Sequence, residues 1–197
     1  MLFNTFIFYV FLLVVLGPYL LLAGRRARAG WLLAASYAFY CYWDWRFAAL
    51  LLLPTLVDFG VGRALETAQA PAARKRLLLL SCLADLGLLG FFKYFNFFSD
   101  TARMAAAGLG LHLDTVHLRL IVPLGVSFYT FKSLSYTIDV YRRRIPPTRS
   151  LLDYALYVAF FPNLVAGPID RAGSLLPQFA RLGRPSRRQV AEDVVLI

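Results

Sequence analysis

The side chains that could do chemistry lie mainly between positions 121 and 178, in two segments that are otherwise apolar enough for a membrane. The first segment reads IVPLGVSFYTFKSLSYTIDVYRRR, and the second reads YALYVAFFPNLVAGPIDRAGSLLPQF. Polar groups and irregular backbone persist at membrane depth only where protein buries them or a water-filled cavity meets them. The sequence therefore predicts an intramembrane site. Its candidate residues are Ser127, Thr130, Lys132, Asp139, Asn163 and Arg171, together with Asp85 from an earlier segment.

Helical spacing sorts the first segment into stripes. One stripe is mostly polar, and another carries Lys132, Tyr136 and Asp139. The remaining stripe is apolar and consists of Leu124, Phe128, Phe131 and Ile138. Lys132 and Asp139 lie two turns apart, too far along the axis to pair directly without the reach of the long lysine side chain. A charge at the bilayer centre costs on the order of 3 kcal/mol, so Asp139 needs either a partner or a function. Two interpretations follow. Asp139 forms a salt bridge with the arginines that follow it, or it lines a substrate path.

The second segment is predicted to contain a broken or re-entrant helix near residues 160–170. Pro162 and Pro168 remove backbone donors and disfavour helix before them, and Gly167 permits a close backbone approach. Asn163 and Arg171 flank this break. They either satisfy the freed carbonyls or, together with Asp170, point at a ligand.

Two further features carry polar groups inside apolar sequence. Asp85 lies deep in its segment and needs a partner, whereas Asp58 is expected near the end of its own segment. The run FFKYFNFF, at residues 91–98, is either an interfacial aromatic belt with a snorkelling lysine or a wall of the cavity. The sequence leaves both interpretations open.

The elements that must position these residues are membrane helices. Hydrophobic residues make up 59% of the 197, charged residues 16%, and the mean hydropathy is +0.61, which is outside the range of soluble domains. We predict an all-α polytopic membrane protein in which residues 1–197 belong to a single membrane domain. At roughly 20 residues per span, about six hydrophobic segments are predicted. They lie near Leu2 to Leu22, Gly30 to Tyr42, Phe47 to Val61, Leu77 to Phe98, Leu120 to Tyr141 and Leu151 to Ala166.

Basic residues cluster in alternate loops. No Lys or Arg precedes Arg25, so the first apolar segment is interpreted as a retained helix and not as a signal peptide. The positive-inside rule then places the N-terminus, the turn from Tyr42 to Arg46 and the loop from Ser99 to His117 outside. It places three basic loops inside, around Arg25, Arg74 and Arg142, and these account for most of the net charge of +10 without nucleic acid. The stretch Arg181 to Arg188 is predicted to lie against anionic headgroups. Cys41 and Cys82 are far apart, and His112 and His117 lack a metal spacing, so no metal site is predicted.

Three motifs in order carry a resemblance to a known family. PLGVSFYTFKSLSYTIDVYRR, the earlier FFKYFNFF and the later LYVAFFPNLVAGPIDR resemble the N-terminal half of the membrane-bound O-acyltransferase family, in its bacterial alginate O-acetylase branch. The resemblance implies a multi-pass enzyme of the bacterial cytoplasmic (inner) membrane. It would move an acyl group, expected to be acetyl, from a cytoplasmic thioester such as acetyl-CoA to a hydroxyl of an extracytoplasmic polysaccharide such as alginate. No bound cofactor is implied, and the expected partners are the lipid bilayer, the polysaccharide acceptor and periplasmic acetylation proteins.

The same resemblance implies a catalytic histidine that this chain does not supply. Members of the family carry that histidine on a buried helix of the second half, and neither histidine here matches it. Because the sequence turns apolar in QVAEDVVLI and stops at Ile197, we expect a truncated chain that is inactive alone. Two alternatives remain open: acylation of a cell-wall polymer, either teichoic acid or peptidoglycan, and a transporter fragment, although no internal repeat supports the latter.

Overall fold

The computed structural model describes residues 5–42, 44–108, 125–166 and 170–183, and the regular structure within these ranges is entirely helical. The predicted all-α class is confirmed. The helices are α1 (Phe6–Leu21), α2 (Arg25–Cys41), α3 (Phe47–Thr67), α4 (Pro71–Gly108), α5 (Val126–Tyr141), α6 (Leu151–Ala159), α7 (Phe161–Ala166) and α8 (Ala172–Ala180).

Two of these helices, α3 and α4, are long and apolar enough to cross a membrane, and α1 is a shorter apolar helix. The prediction of six hydrophobic segments is not confirmed as six spans. The second and third predicted segments form separate helices, and α4 runs for 38 residues, well beyond both ends of the segment predicted for it. Ser99 and the nine residues after it, predicted to begin an outer loop, are the last turns of α4.

The central helix of the described fold is α5, which contacts α3 and α4 as well as α6, α7 and α8. Its start depends on Gly125, whose φ of 78° is in the left-handed region. A Cβ added to Gly125 would lie 2.6 Å from the carbonyl oxygen of Leu164. Only glycine therefore lets the backbone of α7 pack directly against the first turn of α5.

A second close approach joins α3 to α5. A Cβ added to Gly62 would lie 2.7 Å from the hydroxyl oxygen of Tyr136. That hydroxyl also accepts a hydrogen bond of 3.1 Å from the backbone N–H of Thr148. The glycine thus admits a tyrosine that ties the loop after α5 to the helix bundle.

The predicted break in the second polar segment is confirmed, since α6 ends at Ala159 and α7 begins at Phe161. Pro162 lies in the first turn of α7, where a missing backbone donor removes no intrahelical bond. The N–H of Phe161 is satisfied instead by the Ser36 side chain of α2, at 3.2 Å. Gly167 and Pro168 lie outside the described residues.

The described parts of the predicted inner loops lie together at one end of the bundle. Arg25 pairs with Asp153 of α6 at 2.7 Å, which joins the start of α2 to the start of α6. Arg74 of α4 donates to the carbonyl oxygens of Leu65 at 2.6 Å and Tyr141 at 2.7 Å, and it thereby joins the ends of α3 and α5. Which side of the membrane this end faces stays a prediction.

At the turn between α2 and α3, predicted to lie on the other side, a local ion pair forms. Arg46 contacts the Asp44 carboxylate at 3.0 Å, and its hydrogen bonds hold the pKa of that carboxyl below its usual range. Trp45 beside them is 75% exposed, as expected for a residue at a membrane interface.

Candidate functional site

The polar residues of α5 are buried to an extent that a lipid-facing helix would not show. Thr130, Lys132, Ser133 and Thr137 all have no solvent exposure, whereas Phe131, from the predicted apolar stripe, is 49% exposed. The helix thus turns its polar stripes inward, while Phe131 faces outward. Two clusters of polar side chains form around it, one towards α3 and α4 and one towards α6 to α8.

The first, called here the carboxyl cluster, consists of two acidic side chains and the hydroxyl groups around them. Asp58 of α3 and Asp85 of α4 are both fully buried, and their carboxyl groups are adjacent. Ser81 donates a hydrogen bond of 2.5 Å to Oδ1 of Asp58. The hydroxyls of Ser133 and Thr137 face the same carboxyl from α5. The cluster therefore joins three helices through polar groups alone.

The carboxyl cluster has more acceptors than donors. Within the described ranges, Oδ2 of Asp58, both carboxyl oxygens of Asp85 and the Thr137 hydroxyl have no hydrogen-bond partner. Two adjacent buried carboxylates repel each other when both are ionised, and a buried charge without a partner is unfavourable. The cluster is therefore electrostatically unfavourable when both carboxyl groups are ionised.

The predicted position of Asp58, near the end of a segment closing at Val61, is wrong. Helix α3 continues to Thr67, so Asp58 lies well inside the helix. Asp85, for which a partner was expected, has Asp58 as its neighbour. A usable signal was present in the sequence, because Thr55, Asp58, Gly62 and Leu65 follow the three- and four-residue spacing of one buried helix face.

The second, called here the lysine cluster, contains Lys132, Tyr157, Asn163 and Asp170. The ammonium nitrogen of Lys132 is 4.6 Å from the centre of the Tyr157 ring, within range of a cation–π interaction. It has no hydrogen-bond partner among the residues described. Asp170 is a carboxylate close enough to interact electrostatically with it. Lys132 is thus a buried cation whose N–H donors are unused among the residues described.

The break between α6 and α8 shapes this lysine cluster. The Tyr157 hydroxyl lies 3.3 Å from the backbone carbonyl of Lys132 and 3.2 Å from that of Asp170. Asn163 donates to Oδ2 of Asp170 at 2.5 Å. Asn163 therefore orients an acidic side chain across the break. The interpretation in which the two residues point at a ligand stays a prediction.

Other predicted site residues lie apart from the two clusters. Thr130 donates to the carbonyl of Val126 at 2.7 Å, within its own helix, and Ser127 is half-buried one turn earlier. Asp139 lies 3.6 Å from Arg144, which is the salt bridge that one of its two interpretations predicted. Arg171 is exposed at the start of α8. The structure thus brings Lys132 together with Asn163, and Asp85 together with Asp58.

Two buried tyrosines of α6 belong to the site although the sequence does not predict them. The Tyr154 hydroxyl lies 3.3 Å from the Ser133 hydroxyl, and its ring lies 4.6 Å from that of Tyr136. Tyr157 covers Lys132, as described above. Nothing in the spacing of LLDYALYVA marks these tyrosines, because the whole of α6 after its first turn is buried.

The run FFKYFNFF lies on α4. Lys93 is exposed there, with its ammonium nitrogen 5.6 Å from the centre of the Tyr94 ring, as the interfacial interpretation predicts. Phe91, Phe95 and Phe98 line an open cavity of about 650 Å³, so both interpretations stay open. In the described part of the chain, no group of three His, Cys, Asp or Glu side chains could hold a metal ion. His112, His117 and the arginines at 187 and 188 lie outside the described residues.

The fold and these clusters define an all-α membrane protein with a buried polar site around one central helix. The chain is 43% identical over 179 residues to a probable alginate O-acetylase of Pseudomonas syringae pv. tomato, and 42% identical over 177 residues to that of Pseudomonas aeruginosa; each match covers 89% of the chain. It is 34% identical over 173 residues, or 76% of the chain, to a peptidoglycan O-acetyltransferase of Helicobacter pylori. No family model and no solved structure matches.

These similarities confirm the resemblance carried by the three motifs. The chain is similar to probable alginate O-acetylases over most of its length, as expected of a part of a membrane-bound O-acyltransferase. It spans about a third of the length of these relatives, 34% for both Pseudomonas proteins and 32% for the Helicobacter protein.

Proposed function

We propose that this chain forms part of a membrane O-acetyltransferase that transfers an acetyl group to a hydroxyl of an extracytoplasmic polysaccharide such as alginate. The observation that carries the proposal is the identity of 43% to an alginate O-acetylase over 89% of the chain. That stretch includes α5 and the segments that supply both polar clusters. The donor in this proposal is a cytoplasmic thioester, acetyl-CoA or another acyl thioester.

The lysine cluster gives the chain a part in this reaction. Attack of a hydroxyl on a thioester carbonyl develops negative charge on the carbonyl oxygen, and a fixed donor in a dry site stabilises that charge. Lys132 is a fully buried cation with unused donors, and the Tyr157 ring and Asp170 hold it in place. In our proposal Lys132 faces the path of the acyl group and acts electrostatically. Ser127, Thr130 and Asn163 belong to the wall of that path.

The proposal also assigns a general base, a membrane orientation and partners. The general base is a histidine outside this chain, so the chain alone is inactive. The basic loops face the cytoplasm and the N-terminus faces outward, in the bacterial cytoplasmic membrane. Partners that carry acetyl groups onward in the periplasm fit the same scheme.

A second acceptor is favoured by one observation, the identity of 34% to a peptidoglycan O-acetyltransferase. Peptidoglycan, or teichoic acid as another cell-wall polymer, is therefore the alternative acceptor.

Two chimeras test the proposal and separate its acceptors. In one, this chain replaces the matching third of the Pseudomonas alginate O-acetylase; in the other, it replaces that of the Helicobacter peptidoglycan enzyme. Each is expressed in a strain that lacks its own enzyme, and O-acetyl esters are measured on the purified polymer. We expect acetylated alginate from the first chimera and none from the chain alone. If both chimeras reach the membrane in normal amounts and neither polymer is acetylated, the proposal is wrong.

A further inference from the structure

We propose that the C-terminal end of α5 forms a phosphate-binding pocket in which Arg143 is the main ligand. A cavity of about 490 Å³ opens there, between the end of α3 and the loop that follows α5. Its polar lining is mostly arginine, and two consecutive prolines form one wall. The residues that matter here are Glu66, Arg74, Arg143, Arg144, Pro146 and Pro147. The inference does not depend on the proposed acetyl transfer.

The backbone at Arg143 is the first observation. Its φ of 58° is the one positive value of a non-glycine residue within the described ranges. The N–H of Arg143 bonds to the carbonyl of Val140 at 3.0 Å, and that of Arg144 bonds to the carbonyl of Asp139 at 2.9 Å. This pair of bonds is the Schellman motif, whose left-handed position is usually glycine.

An arginine at that position is unfavourable for the fold, because a side chain destabilises the left-handed conformation. Strained backbone persists where the structure around it enforces it, and it concentrates at functional sites. Here the strained residue presents an exposed guanidinium at the mouth of the cavity. A need for that guanidinium explains why glycine is absent from its usual place.

The charges around the cavity are the second observation. Arg74 is committed to the carbonyls that end α3 and α5, so it supplies a fixed positive charge to the floor. Glu66 is neutralised from two sides, by Arg63 at 2.5 Å and Arg149 at 2.7 Å. Arg144 is shared with Asp139 at 3.6 Å.

Arg143 differs from these neighbours. In the described part of the chain its side chain makes no hydrogen bond or ion pair, so its donors are available. The pocket therefore combines one free guanidinium with a surplus of fixed positive charge. A guanidinium fork matches the oxygens of a phosphate group in geometry and charge. Two sources share this chemistry: the headgroup of an anionic lipid, and the phosphate of a soluble compound.

Because the backbone at Arg143 is strained, one substitution can remove the guanidinium without destabilising the fold. Arg143→Gly removes the guanidinium and at the same time restores the residue that the Schellman motif prefers. We therefore expect its thermal unfolding midpoint to equal or exceed that of the parent chain, while phosphate affinity falls roughly tenfold through loss of a charge-assisted bond. Arg143→Asn, which tolerates the left-handed conformation, should behave in the same way.

The matched control is Arg142→Gly. Arg142 is the exposed neighbour, with a φ of −76°, and it does not line the cavity. Its substitution removes the same formal charge from the same loop. Phosphate affinity should stay within about twofold of the parent, since Arg142 lies outside the pocket.

The measurement uses the full chain in lipid nanodiscs, with binding followed by tryptophan fluorescence and by the unfolding midpoint. Inorganic pyrophosphate is titrated into phosphatidylcholine discs, and phosphatidylglycerol discs are compared with phosphatidylcholine discs. Saturable pyrophosphate binding that Arg143→Gly weakens supports a soluble source. Stabilisation by phosphatidylglycerol alone, lost in Arg143→Gly, supports a lipid source. Equal behaviour of Arg143→Gly and the parent chain with both probes, or equal losses in Arg142→Gly, overturns the inference.

Discussion

The hydroxyl of Ser81 shows how much depends on single polar atoms in this protein. It is the one hydrogen-bond donor described for the buried carboxyl of Asp58, and neither residue has any solvent exposure. Leaving a buried acceptor without its donor costs the desolvation free energy of that group. The carboxyl cluster is therefore expected to respond sharply to the loss of one oxygen.

Ser81→Ala tests this at the residue scale. We expect the free energy of unfolding to fall by about 1–3 kcal/mol, measured by denaturant titration of the chain in detergent micelles. Thr101→Ala is the control on the same helix, because Thr101 is exposed and donates only to the carbonyl of Phe97. It should change the free energy by less than about 0.5 kcal/mol. A Ser81→Ala chain as stable as the parent would contradict the buried pairing.

At the scale of elements, the close approach at Gly62 packs α5 directly against α3. Both polar clusters include residues of α5, so their geometry depends on this packing. A methyl group at this position would meet the Tyr136 hydroxyl at 2.7 Å. Gly60, two residues earlier in the same helix, has nothing within 4 Å of an added Cβ. An alanine at either glycine changes helix propensity, but only an alanine at Gly62 also changes helix packing. A comparison of the two variants therefore isolates the effect of packing.

Gly62→Ala is therefore expected to lower the free energy of unfolding by about 1–3 kcal/mol through overpacking. Gly60→Ala should leave it unchanged or raise it by up to about 1 kcal/mol, because alanine favours the helix. Thermal unfolding of the three chains in one detergent compares them directly. Recovery of part of the loss in Gly62→Ala with Tyr136→Phe would confirm the contact as its cause, and equal stability of the two alanine variants would exclude it.

The elements also show what the sequence could predict. The polar stripes of α5 and the break before Pro162 were predicted, because helical periodicity and proline chemistry act locally. The length of α4 and the depth of Asp58 in α3 were not predicted. For Asp58, no capping or proline signal marked the true end of α3, which lies beyond Val61. The pairing of Asp58 with Asp85, and the cover of Tyr157 over Lys132, depend on which helices become neighbours. Periodicity within one segment carries no such information.

For the whole molecule, the grouping of basic loops predicts a single topology. Arg142 lies at the end where these loops meet, and Trp45 lies in the turn predicted on the opposite side. After replacement of Cys41 and Cys82 by serine, Trp45→Cys should react with an impermeant maleimide in intact spheroplasts. Arg142→Cys should react only after the membrane is opened. Labelling of both cysteines from the same side would refute the arrangement.

The central claim is that the buried polar face of α5 serves acyl transfer. Its most direct test is the alginate O-acetyl content produced by the Pseudomonas chimera carrying Lys132→Met, compared with Lys93→Met, which removes an exposed lysine from α4. We predict that Lys132→Met lowers acetylation at least roughly tenfold at unchanged protein levels, while Lys93→Met leaves it near that of the parent. Equal acetylation by the two variants would contradict the claim.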